Sequence, residues 1–455
     1  MGIDRRQVLS LGAIVAGTAG AGTMPVRAAP TALATFGLDA THFGLRPGSA
    51  EDQSRALQNA IDAAARARAP LMIPPGIYRA GDLKLSSGAQ LLGVRGATEI
   101  SLTEGASLIS ATGAEHITLA GLRLDGTKHP LGETRGLIQL ESCRAVRITD
   151  CEIIASGRHG IRLVAVDGEV SGTAFTDIAD VAISVHDAAG LMLARNTIAG
   201  AGNNGIQIIR SVAGDDGTIV VDNRIDNVGN RSGGSGQYGN AINAFRAANV
   251  IVRGNRIRRC AFSGVRGNTA SNIHIEGNSI TEAGEVALYA EFGFEGAVIA
   301  NNTVEGAAIG VSVTNFNDGG RLAVVQGNLI RDLKSQRPVG TDPGDSAGIG
   351  IAVEADTVVS GNLIEGAPLA GIVLGWGRYL RDVSATGNVV RSADIGIGVS
   401  VTPGAASALI ANNIVSDSGR GAIFGMAGAK VVTADLGAGG TEKYPHLSIS
   451  GNRVR

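Results

Sequence analysis

The sequence predicts an all-β solenoid, and three observations predict it. A short phrase recurs along most of the chain: small residue, Asn, any residue, Ile or Val. It reads Arg195-Asn196-Thr197-Ile198, Asn223-Arg224-Ile225, Gly254-Asn255-Arg256-Ile257, Gly277-Asn278-Ser279-Ile280 and Asn301-Asn302-Thr303-Val304. It continues through Gly327-Asn328-Leu329-Ile330, Gly361-Asn362-Leu363-Ile364, Gly387-Asn388-Val389-Val390 and Asn412-Asn413-Ile414-Val415 to Gly451-Asn452-Arg453-Val454. Most gaps are about 23 to 27 residues, the period of a stacked repeat. Second, a further strand-like piece recurs between phrases, as in Gly160-Ile161-Arg162-Leu163, Gly205-Ile206-Gln207-Ile208 and Gly371-Ile372-Val373-Leu374. Third, 67 glycines suit a chain that turns many tight corners.

A chain of 455 residues would ordinarily hold two or three domains, but one solenoid reaches this length by repetition. Apolar residues make up 44% and charged residues 18%, which allows a large core and excludes a disordered chain. A net charge of −2 gives no electrostatic reason to expect nucleic acid as a partner.

The elements follow in chain order. Asp4-Arg5-Arg6-Gln7-Val8-Leu9, a Gly/Ala-rich run over 11–23 and Val26-Arg27-Ala28 resemble a twin-arginine export signal over residues 1–28. That resemblance implies the twin-arginine machinery as a partner and a periplasmic or secreted protein of a Gram-negative bacterium. The apolar run is too short and Gly-rich for a permanent membrane span. Residues 29–100 read as an N-terminal cap and first coils. The pattern over 49–69 is helical, with Ser49 and Asp52 as a capping box and Ala56, Leu57, Ala60, Ile61 and Ala64 on one apolar face. Short strands follow at 71–73, 82–85 and 90–94. Residues 101–455 read as the repeats. Cys151 stands at the Asn position of its coil, so packing is the expected role of this cysteine.

Phe43-Gly44, Asn59-Ala60-Ile61-Asp62-Ala63-Ala64, Ile73-Pro74-Pro75-Gly76-Ile77-Tyr78 and Leu91-Leu92-Gly93 resemble the N-terminal segment of pectate-lyase-like proteins. The resemblance implies a right-handed parallel β-helix, the pectin-lyase-like solenoid, with an N-terminal capping helix. That superfamily includes polysaccharide lyases, mannuronan epimerases, glycoside hydrolases and phage tailspikes. With its export signal, the whole chain resembles the twin-arginine-translocated repeat proteins of alphaproteobacteria.

The repeated asparagines read as a structural ladder: Asn tolerates a left-handed corner, and its amide bonds the same Asn one coil away. They are therefore excluded from the site. Insertions at 226–240, 331–347 and 426–446 break the period and are places for function. With Ile161, Ile183, Ile206, Ile242, Val265, Leu288 and Val311 aligned inward, strand alternation sends out Arg162, Ser184, Gln207, Asn243, Arg266, Tyr289 and Ser312. A parallel outward column holds Val164, His186, Ile209, Phe245, Asn268, Glu291 and Thr314. At about 4.8 Å per coil, Arg162 to Tyr289 spans about 24 Å, room for several sugar units. Six of the fifteen aromatics, Tyr238, Phe245, Phe262, Tyr289, Phe292 and Phe294, cluster here, as sugar stacking requires.

This face predicts an acidic polysaccharide as partner and uronate lyase or C5-epimerase chemistry. Arg266 would neutralise the substrate carboxylate, Tyr289 and His186 would serve as base and acid, and Glu291 would orient Arg266 or hold a hydroxyl. Arg162, Gln207, Asn243, Phe245, Asn268 and Tyr238 would bind the chain. His186 falls four coils from Glu291, so the tighter group is Asn243, Arg266, Tyr289 and Glu291. Hydrolysis needs two carboxylates on one face, and these columns carry only Glu291, with Asp187 beside them. A non-catalytic glycan-binding or envelope-structural solenoid is the other class of function. No cofactor is implied by a motif: no zinc spacing occurs, and no compact acidic cluster suggests Ca²⁺ as clearly as in pectate lyases, which leaves Ca²⁺ as an open alternative to none.

Overall fold

The computed structural model describes residues 37–455, which form one compact unit; the export signal predicted over 1–28 lies outside the described residues. The chain winds through about 14 coils. Three parallel strand stacks make the walls. The first face stacks sixteen strands, from Leu38–Asp39 to Leu447–Ser450. The second follows the Asn phrase and runs from Gly76–Ala80 to Arg453–Val454. The third runs from Leu83–Lys84 to Gly421–Ala427. The inward residues predicted from alternation, Ile161, Ile183, Ile206, Ile242, Val265, Leu288 and Val311, are fully buried. They belong to one apolar core that reaches from Ala40 to Leu447.

The Asn phrase forms a ladder between the first and second faces. Asn302 is representative and wholly buried. Its Oδ1 accepts from the backbone N–H and the amide of Asn278, at 2.9 and 3.0 Å. Its own amide donates to Asn328 Oδ1 and, one coil back, to the Ile275 carbonyl, at 3.0 and 2.9 Å. Each amide therefore satisfies backbone groups that a solenoid corner buries without a strand partner. The left-handed corner is not at the Asn, however. It is at the preceding residue: Gly254 has φ 67°, Gly277 62° and Asn301 56°. That is why the slot before the Asn favours Gly, which carries no Cβ to strain. Cys151 continues the ladder with a thiol, donating toward the Thr149 and Leu119 carbonyls. Burial pushes this thiol up to about 11, and all three cysteines are free and buried.

The capping helix spans Ser54–Ala67, beginning later than the predicted 49. The expected Ser49–Asp52 box does not form. Asp52 instead accepts from the Ser54 N–H and hydroxyl, while Gln53 occupies the cap position with no side-chain bond. Leu57, Ala60, Ile61 and Ala64 face the core as predicted. Gln58 both donates to the Lys84 carbonyl (2.9 Å) and accepts from its N–H (2.8 Å), closing the exposed edge of the third face's first strand. At the other end Lys430–Asp435 folds back antiparallel on Gly421–Ala427. The insertion at 426–446 is thus in part an end cap.

Candidate functional site

The third face carries the predicted columns. Arg162, Ser184, Gln207, Asn243, Arg266, Tyr289 and Ser312 stand opposite one another in unbroken register. So do Val164, His186, Ile209, Phe245, Asn268 and Glu291. Outward placement did not leave them exposed, because two of the insertions close over the middle of the face. Ser235 N–H donates to the Gly340 carbonyl at 2.9 Å, joining the loops over residues 229–239 and 332–348. Phe262 is fully buried beneath them. A Cβ at Gly239 would stand 2.3 Å from its ring, so this approach requires glycine.

Under this roof Arg266 is 6% exposed and Glu291 2%. Arg266 Nε and Nη2 donate to the two oxygens of Glu291, at 2.6 and 2.8 Å. Its Nη1 donates to Ser235 Oγ at 3.0 Å and lies 3.5 Å from Glu285. Glu285 also accepts from Ser235 (2.6 Å) and from Arg337 (2.8 Å), and Asn268 donates to Glu291 (2.9 Å). Burial pulls the Arg266 pKa down, but Glu291 and Glu285 more than offset it and the net shift is upward. Tyr289 packs against the guanidinium, 4.9 Å from Cζ to ring centroid. Burial, with Glu291, raises its pKa well above the ordinary phenol value. The geometry corrects two expected roles. Arg266 meets its own carboxylates instead of a substrate's, and a phenol held protonated is a poor base. Glu285 and Arg337, which complete this network, went unrecognised because they lie outside the two columns.

The other expected residues are spread out. His186 is four rungs from Glu291, about 19 Å at the usual strand spacing, and shares no site with it. Asn243 is 4% exposed and reaches toward the Gln237 carbonyl (3.4 Å). The Tyr238 ring lies against Gly233 of its own loop, and Phe245 packs under Arg246, 4.7 Å away. Both residues are half-buried. Asp187 is committed to Ser211, bonding its N–H (2.8 Å) and hydroxyl (2.7 Å). Arg162 and Gln207 are the exceptions: among the described residues neither side chain has a hydrogen bond or ion pair.

Beyond the roof the same face opens into a cleft of about 210 Å³. Small residues of the column, Ser312 and Ala352, form its floor, and Tyr289 stands at its edge. Arg337 and Asp345 come from the second roof loop; Glu354 and Trp376 line other parts of the wall. Trp376 is 42% exposed, held in a tight corner by mutual backbone bonds with Tyr379. Glu354 is buried and accepts from the Phe316 N–H at 2.7 Å; burial nevertheless holds its carboxyl above the usual range. Burial likewise raises Asp345, against the lowering effect of Arg337. Carboxyls raised in this way suit general acid–base work. Sequence reasoning reached only its near edge, at Tyr289, Ser312 and Thr314, because Arg337, Asp345, Glu354 and Trp376 lie outside the aligned columns. The chain's single Trp, in Gly375-Trp376-Gly377, was the available signal.

A wider hollow of about 910 Å³ lies around Phe316, Arg321, Asp356 and Arg381. Its charges are spent on one another, since Asp356 binds both arginines and Arg381 covers the Phe316 ring at 4.3 Å. Among the described residues no three His, Cys, Asp or Glu side chains converge as a metal site would need, and no helix is long and apolar enough to cross a membrane.

A family model described as the right-handed beta helix region matches residues 107–236 and 209–390. No curated protein sequence matches. Among solved structures, the pre-mature bacteriophage phi29 gene product 12 is similar with a TM-score of 0.53 and 16% identity. That match covers 88% of this chain and 58% of the phage chain, so the protein spans under two thirds of the phage protein's length. The A-module of the Azotobacter vinelandii mannuronan C-5 epimerase AlgE6 has a TM-score of 0.45 and 15% identity over 92% of this chain and 99% of that one. The Streptococcus pneumoniae surface adhesin PfbA has a TM-score of 0.44 and 14% identity over 86% and 93%. The identities speak to the fold alone.

Proposed function

The chain belongs to the right-handed β-helix family, and on that scaffold we propose that it binds a polysaccharide along its third face and hydrolyses it in the cleft beside Tyr289. The carrying observation is the pairing, in one cleft, of two carboxyls held above their usual range with an exposed Trp. Trp376 and Tyr289 supply the flat apolar surfaces on which sugar rings stack. Glu354, buried and with its carboxyl held above the usual range by that burial, is the group placed to give a proton to the leaving glycosidic oxygen. Asp345, half-exposed and steadied by Arg337 at 3.1 Å, takes a proton from water as the water oxygen bonds the anomeric carbon. One glycosidic bond breaks, one water is consumed, and a new reducing end appears.

Lyase or epimerase chemistry centred on Arg266 loses its support, since that guanidinium already has partners on Nε, Nη1 and Nη2. Non-catalytic glycan binding is the second reading, favoured by how completely the central network is paired. The proposal includes action in the periplasm or outside the cell, for which the Arg5-Arg6 leader is the support.

The test is a screen of the mature protein against uronate-containing, sulfated and neutral polysaccharides. We expect reducing ends without unsaturated-uronate absorbance, and a loss of about 100-fold or more in Glu354→Gln. Absorbance would restore elimination, and C5-proton exchange alone would restore epimerisation. Binding without any turnover would leave the second reading.

A further inference from the structure

The coils before the roof present the opposite situation from the coils beneath it. Arg162 is half-buried, and among the described residues its side chain makes no direct ion pair or hydrogen bond, Glu141 acting on it only through space. On the next rung Ser184 is fully buried, and its Oγ has no partner. Gln207, one rung further, is 6% exposed and also unbonded. His186 sits beside this row, two residues on from Ser184. An unanswered buried donor costs about 1–3 kcal/mol, which here applies to Ser184 Oγ alone; the polar ends of Arg162 and Gln207 reach solvent beside it without a protein partner, so the three together are placed to take a ligand. The nearby carboxylates do not. Glu141 accepts from Gln139 at 2.8 Å, Asp187 is held by Ser211, and Asp180 by Asn203 (2.7 Å) and Arg158 (3.0 Å).

We propose that Arg162, Ser184, His186 and Gln207 form a binding subsite for an oxyanion carried on a glycan, a uronate carboxylate or a sulfate ester. The inference rests on the glycan-binding reading of this face and names the substrate class. Arg162 supplies the charge, Ser184 and Gln207 neutral donors, and His186 a second cation on protonation.

The groups facing His186 give the subsite a pH dependence. Arg162 approaches it from the preceding coil, Asp187 follows it in the chain, and His159 lies within electrostatic range; Glu141 and Arg135 flank Arg162. Burial and Arg162 push His186 down to about 4, so without ligand it is neutral near pH 7. An anion lodged beside Arg162 offsets that repulsion, so binding takes up a proton and tightens as the pH falls.

Calorimetric titration of the mature protein with an oligogalacturonate, a sulfated oligosaccharide and a neutral maltooligosaccharide, at pH 7 and pH 5, tests this. At least one anionic ligand should bind and the neutral one should not; the ligand that binds tells carboxylate from sulfate. Arg162→Gln should weaken that binding about tenfold or more without lowering the melting temperature, as loss of one charged hydrogen bond predicts. Arg253→Gln, an exposed Arg on the first face, should leave it unchanged. His186→Gln should abolish the gain in affinity between pH 7 and pH 5. Equal binding of the neutral ligand, or affinity indifferent to Arg162→Gln, overturns the subsite. Arg162-dependent binding without turnover upholds the subsite and sinks only the cleft chemistry; turnover of a neutral glycan regardless of Arg162 does the reverse.

Discussion

The coils carrying Arg162 to Gln207 and those carrying Asn243 to Tyr289 share one pleat and one register, yet their polar side chains have opposite fates. In the first stretch Arg162 and Gln207 are unbonded and Ser184 Oγ is orphaned. In the second, Arg266, Glu285 and Glu291 hold one another under two insertions joined at Ser235 and Gly340. Strand alternation decides which way a side chain points. It does not decide whether anything comes to meet it. An outward polar residue on a solenoid is a binding group only where no loop has claimed it first.

The comparison breaks most sharply at Arg266. Arg266→Ala leaves Glu291 buried without its ion-pair partner, while Glu285 keeps Arg337, and should cost about 3–5 kcal/mol in denaturant unfolding. An unchanged unfolding midpoint would instead return Arg266 to the substrate-facing role expected from the column alone. Next in size, Gly239→Val drives a side chain into the Phe262 ring and should cost about 1–3 kcal/mol by overpacking, with faster proteolysis of the loop over 229–239.

Acid should act mainly on the first stretch. Burial lowers His159 to about 4 from 6.5, against the pull of Asp180. The unfolded chain therefore binds protons that the folded one refuses, and this contribution to stability is lost as pH falls from 6.5 toward about 4. The melting temperature should drop through that window, and less so in His159→Asn. A melting curve in which His159→Asn is as acid-sensitive as the parent would remove His159 as the cause. The smallest effect belongs to Arg162→Ala, which breaks no bond and should shift stability by under about 0.5 kcal/mol. A larger loss would mean that Arg162 has a structural partner after all.

Much of this molecule was legible because a solenoid makes its contacts between neighbouring repeats. Asn302 bonds Asn278 and Asn328, one repeat to either side, so a recurring residue announces a recurring contact. The inward Ile161-to-Val311 register and the apolar face of the capping helix followed from periodicity alone. The misreadings were local or long-range. The capping box moved because Asp52 bonds Ser54 forward of it, and the left-handed corner proved to precede the Asn. The cleft and the roof were out of reach for a deeper reason. Ser235 meets Gly340, and Arg337 meets Glu285, across separations with no period. Such contacts depend on how two irregular loops settle over a packed surface, and no spacing rule carries that information. The sequence by itself determined the coil, its ladder and the inward or outward direction of the third-face residues from Ile161 to Val311 and their neighbours. Only the tertiary structure decided which outward residues remain free to bind, because burial of a charge depends on what the folded chain lays across it.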